Sequence, residues 1–192
     1  MRQKKGGGPV RLKPKKSDVL SHEGIRPGEI PQLELYMDQV IRFMETRLDG
    51  LRTAGDERMI TKTMINNYVK AGLIDKPRQK RYRPDQLMAL VMVFHLKNVT
   101  SMNAIGRLFA AGGDPEKLYA RFLRLQEEVR RVQEAASPAK PQTGEETVDQ
   151  VIRLLLEADL CKRQAEALLG GLDGPPENAG RPDTKGKGKH DK

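Results

Sequence analysis

Apolar and polar positions alternate along this chain with a helical period through most of its length. LELYMDQVIRFMETRLDG places apolar residues at 33, 36, 37, 40, 41, 44 and 48, one stripe of a helix that Pro31 can open and Gly50 can close. A polar stretch, RTAGDER, follows. Thr61 then suits the N-cap of a short second helix, and Gly72 suits its end. Residues 73–83 contain Pro77 and no helical period, the pattern of a loop or a small two-stranded wing.

Pro84 and Asp85 mark the start of a third helix, since proline fits the first turn and a carboxylate complements the positive end of the helix dipole. Its stripe of Leu87, Leu90, Val91, Phe94 and His95 runs to about Asn98. Thr100 or Ser101 caps a fourth helix holding Met102, Ile105, Leu108 and Phe109, which the GGDP loop stops. Residues 115–135 predict a fifth, with Leu118, Phe122, Leu125, Val129 and Val132 forming a two-heptad seam. After the linker SPAKPQTG, a last amphipathic helix is expected from about Glu145 to Leu169. The expected fold class is therefore all-α, with no repeat of 20 to 50 residues.

Composition changes this picture at the ends. Residues 1–30 and 171–192 are rich in Gly, Pro and Lys and hold too little apolar surface to offset the entropy of ordering, so both are expected to be disordered and basic. The division that follows is an arm at 1–30, a compact unit at 31–112, a helical extension at 113–170 and a tail at 171–192.

The net charge of +9 suits an anionic partner, and its distribution says where. Residues 1–16 hold seven Lys or Arg and no acid, residues 31–110 are net +5, and residues 111–180 are net −4. Anion binding is expected in the first half. On a helical wheel the second helix splits into Met64, Ile65, Tyr68 and Val69 on one side and Lys62, Thr63, Asn66, Asn67 and Lys70 on the other. The second set has no acid, and its side chains donate to phosphate oxygens or, for Asn, bond an adenine edge. Directly after it, KPRQKRYR supplies Lys76, Arg78, Lys80, Arg81, Tyr82 and Arg83, dense enough to neutralise several phosphates.

Other chemistry finds little support. Cys161 is the single cysteine, which excludes an intrachain disulfide and a cysteine cluster and points to a reducing, cytoplasmic setting. His95 has no second ligand at metal spacing, and no P-loop, dinucleotide fingerprint or nucleophile elbow occurs. No catalytic residue, cofactor or metal is expected. The basic start MRQKK lacks the apolar run of a signal peptide, and LMALVMVFHL is about half the length of a membrane span.

The segment from Asn66 to Phe109, NNYVKAGLIDKPRQKRYRPDQLMALVMVFHLKNVTSMNAIGRLF, resembles the MerR-type winged-helix pattern, with Tyr68, Gly72, Leu73, Ile74, Pro77, Lys80, Tyr82, Leu87 and Ile105 in matching places. IPQLELYMDQV and ITKTMINNYVKAGLI resemble more closely a bacterial family, domain of unknown function 1836, over about residues 30–112. The resemblance implies a MerR-like fold with 62–71 as recognition helix and 73–83 as wing. Asn66, Asn67 and Tyr68 stand where MerR proteins commonly have Arg-Tyr-Tyr, and neither a metal-sensing cysteine cluster nor an aromatic drug-binding domain is recognisable.

The expected function is a transcriptional regulator that binds double-stranded DNA. A protein-interaction adaptor of the same fold and an RNA- or ribosome-associated factor are the rivals. A single small module reads few base pairs, so a homodimer on a two-fold site is expected to add specificity. Helix 118–132 or helix 145–169 could supply the contact, or either could pack back on its own domain.

Overall fold

The computed structural model describes residues 24–48, 60–136 and 141–172. The expected arm residues 1–23, the turn 52–58, the first half of the linker and the tail beyond 172 lie outside them. The described residues are mostly helical: α1 (Met37–Arg47), α2 (Lys62–Lys70), α3 (Pro84–Leu96), α4 (Met102–Gly112), α5 (Pro115–Ala136) and α6 (Gly144–Gly170), with two short strands, β1 (Leu35–Tyr36) and β2 (Arg81–Tyr82).

α3 is the central element. Leu87, Met88, Leu90, Val91, Met92 and Val93 are all buried, so this helix is apolar around most of its girth, as expected of one packed on several sides. α5 packs along it, and Phe122 of α5 meets His95 of α3 with ring centroids 5.4 Å apart. His95 is partly buried and lies at the edge of the core.

Local signals set the helix ends where the side chains allow. The Thr61 hydroxyl accepts from the Met64 N–H at 3.2 Å, and Ser101 accepts from Ala104 in the same way. Each such cap stabilises by about 1 kcal/mol. α2 closes with two backbone bonds, Gly72 N–H to Val69 and Leu73 N–H to Tyr68, around a Gly72 φ of +71°. This is the six-to-one closure that glycine permits, and it carries Leu73 back into the core beside Tyr68.

Three expectations are corrected. The first helix begins at Met37 rather than Pro31, because Leu35 and Tyr36 are drawn into antiparallel pairing with Tyr82 and Arg81. Leu33 and Tyr36, read as members of a helical stripe, are exposed. The compact unit also starts before residue 31: Ile25 and Ile30 are 3% and 1% exposed and belong to the core. It extends past residue 112 as well, since Leu118 and Tyr119 of α5 are buried in that core. The buried Tyr119 hydroxyl donates to the Ile25 carbonyl, joining positions 94 residues apart.

Burial, reinforced by the Glu29 charge, pushes the Tyr119 phenol well above the ordinary tyrosine range. The fold therefore holds it neutral and able to donate. Tyr119→Phe keeps the ring but leaves the Ile25 carbonyl without its partner, and is expected to lower stability by about 1–2 kcal/mol in urea unfolding. Unchanged stability would show that the tether does not hold Ile25 in place.

Candidate functional site

The α2 face forms as its wheel implies. Ile65 and Tyr68 are buried, Met64 and Val69 partly so, while Lys62, Thr63, Asn66, Asn67 and Lys70 are exposed. Of the exposed set, Lys62 is tied to Asp38 of α1 at 2.8 Å. The contact joins the N-terminal ends of the two helices. Thr63, Asn66, Asn67 and Lys70 remain as a polar surface without a carboxylate of its own helix.

From Leu73 the chain enters the basic loop. Leu73 and Ile74 are buried anchors, and the loop then projects Lys76, Arg78 and Lys80 outward, all exposed. Its tip is a two-residue turn in which Arg81 N–H bonds the Arg78 carbonyl at 2.8 Å. The turn residues Gln79 and Lys80 have φ of +47° and +64°. Positive φ at both centres is the requirement of a I′ hairpin turn, which Asn-Gly meets best. Here two long side chains occupy it at about 1 kcal/mol or more each. Non-glycine residues persist in such positions only where their surroundings hold them.

What holds them is a buried glutamine. Gln86, 2% exposed on α3, accepts from the Arg83 N–H at 2.8 Å and donates to the Asp75 carbonyl at 2.7 Å. One side chain thus bonds the backbone at both feet of the loop. Arg83 adds to this, pairing with Asp85 at 2.7 Å and reaching Asp75 at 3.5 Å. The Asp85 bond is the main influence holding its guanidinium above the usual range. Burial pushes the Asp85 carboxyl up, but the hydrogen bond and charge of Arg83 outweigh it and leave the pKa lowered.

The expected phosphate contacts therefore divide. Lys70, Lys76, Arg78 and Lys80 have no ion pair among the described residues. Arg83, by contrast, is paired with Asp85 and reaches Asp75. Tyr82 is corrected to a core residue, 2% exposed, and cannot contact a nucleic-acid backbone. The strand register explains the reversal. Leu35 pairs with Tyr82 and Tyr36 with Arg81, so Leu35 and Tyr82 face inward while Tyr36 and Arg81 face outward. Tyr36, 51% exposed, is the aromatic that stands beside the loop, with the Arg81 guanidinium 5.5 Å above its ring.

Sequence reasoning missed Gln86, Asp85 as a partner of Arg83, and Tyr36. A glutamine three residues after an N-cap is a known capping signal, so half of the Gln86 role had a local sign. Nothing local announces the bond to Asp75.

Residues 25–120 match the model of a family described as a domain of unknown function (DUF1836), and the chain belongs to that family. The matched span coincides with the core that Ile25 and Tyr119 close at its two ends. No match was found among the curated proteins, and none among the solved structures. No helix among the described residues is long and apolar enough to cross a membrane.

Gln86→Leu fills the same space but strips two backbone groups of their partner. It is expected to cost roughly 2–4 kcal/mol and to speed hydrogen exchange at the Arg83 amide; protection there equal to wild type would refute the role given to Gln86. The Asp85 effect has a defined sign. With the folded pKa below an unfolded value near 4, the pair stabilises above that pH and is lost as pH falls through the lowered value. Asp85→Asn should flatten the acid limb of stability against pH, and a limb as steep as wild type would show that the pair contributes nothing.

Proposed function

We propose that α2 and the basic loop form a MerR-like helix and wing that bind duplex DNA, and that the protein acts as a transcriptional regulator. The observation that carries this reading is the strained turn at Gln79 and Lys80. A chain that needed only to connect β2 to α2 would use glycine there. This one holds the less stable residues in place and sets Arg78 and Lys80 at the tip.

In the proposed complex Thr63, Asn66, Asn67 and Lys70 face the major groove, where an asparagine amide bonds the N6 and N7 edge of adenine. Arg78 and Lys80 rest on the flanking phosphates, with Lys76 behind them. Arg81 and Tyr36 form a stacked pair beside the tip, and the exposed ring adds contact with a sugar or phosphate. Lys62 and Arg83, already neutralised by Asp38 and by Asp85 with Asp75, position these elements rather than bind.

The test is fluorescence anisotropy of the full chain with duplex DNA across a salt series. Arg78→Ala with Lys80→Ala is expected to weaken binding on all sequences alike and to reduce the salt slope by about 2. Asn66→Ala or Asn67→Ala is expected to cost about 1–3 kcal/mol on the preferred sequence only. Lys80→Gly separates function from folding, because it should raise stability by about 1 kcal/mol while weakening binding. Absence of duplex binding, or equal affinity for single-stranded RNA with no effect of these changes, would overturn the reading.

A further inference from the structure

Asn66 and Asn67 stand exposed in the middle of α2. Thr61 caps the start of this helix, and Ala71 with Gly72 closes its end, so neither asparagine serves a terminus. Neither side-chain amide makes a hydrogen bond among the described residues. Asparagine is a poor helix former, and inside a helix it commonly spends its amide on nearby backbone. Two adjacent amides held mid-helix with that capacity unspent suit a group outside the chain.

Their directions narrow that group. The buried Ile65 and Tyr68 define the inward side of α2. At about 100° per residue, the opposite line passes within about 10° of Thr63 and Lys70, with Asn66 about 50° to one side of it and Asn67 about 50° to the other. The two asparagines differ in height along the axis by about 1.5 Å, less than half the roughly 3.4 Å between base pairs. The amides therefore diverge across a groove rather than follow one another along it. A primary amide bonds the N6 and N7 edge of adenine in two places. Each A·T pair offers one such edge, so two amides need two pairs. Amides aligned along one strand would read the step ApA; amides that diverge toward the two strands meet one adenine on each.

We infer that α2 reads a step of two A·T pairs whose adenines lie on opposite strands, ApT or TpA, with Asn66 on one adenine and Asn67 on the other. The inference rests on the helix-and-wing reading and adds to it the class of sequence bound. Thr63 and Lys70, on the central line of the same face, span about 10.5 Å along the axis, roughly three base-pair steps, and flank the central step at its two ends.

The test begins with selection of bound duplexes from a random-sequence pool by the full chain. Fluorescence anisotropy of the enriched duplex follows, with deazaadenine, which pairs normally but lacks the N7 acceptor, placed at one adenine of the step at a time. Each placement is expected to weaken wild-type binding about tenfold, the size of one lost amide contact. Asn66→Ala should be insensitive to the analogue at one adenine, and Asn67→Ala at the other. Both variants should unfold at or above the wild-type temperature, since alanine is the better helix former, so that lost binding is not lost folding. An enriched ApA step, an enriched site without adenine, or two variants that lose sensitivity at the same adenine would overturn the inference. Salt-dependent duplex binding with no enriched sequence would overturn it too and leave the helix-and-wing reading standing. No duplex binding at all would overturn both.

Discussion

The Gln86 amide is the interaction on which the outer surface of this protein depends. Its carbonyl oxygen accepts from Arg83 and its nitrogen donates to Asp75, so one buried side chain closes a loop whose two feet are eight residues apart. A buried amide is costly unless satisfied, and here the satisfaction comes from two main-chain groups, the Arg83 N–H and the Asp75 carbonyl. The start of α3 and the geometry of the basic loop are therefore one construction. Arg83 reinforces it by bracing Asp85 and Asp75 from outside.

With both feet fixed, the loop sustains a tip that its own residues disfavour. Gln79 and Lys80 occupy left-handed backbone at a local cost that the pairing of β2 with β1 and the buried Tyr82 offset. The result is a cationic tip whose backbone turn is defined by hydrogen bonds at its base and at both feet. Rigidity matters for an electrostatic surface, because a side chain already held in place loses less entropy on meeting its partner. The same logic separates the cations into those that hold the frame, Lys62 and Arg83, and those with no ion pair among the described residues.

Several elements were legible in advance because their causes are local. Thr61, Gly72 and Ser101 act within one helical turn, and the helix ends they mark fell within a residue or two of them. The two faces of α2 were equally readable, since the period of a helix alone decides which side chains share a side. A small two-stranded wing within 73–83 was one expectation, but the pairing of β2 with residues 35–36 was not legible. Two residues of β1 cannot announce a period of two, and Leu33, Tyr36 and Met37 also fit a helical stripe, so the pairing of Tyr36 with Arg81 stayed hidden until the partner strand was in place.

From sequence alone came the helices, their caps, the polar face at 62–70 and the cluster of cations that follows it, each set by contacts among near neighbours in the chain. Tertiary structure decided which of those cations are ion-paired among the described residues, which tyrosine faces out, and where the compact unit ends. Those outcomes rest on bonds between distant residues: Tyr119 to Ile25, Gln86 to Asp75, Tyr82 opposite Leu35. A donor or a charge takes its role from the group that folding sets beside it, and local sequence does not encode that group.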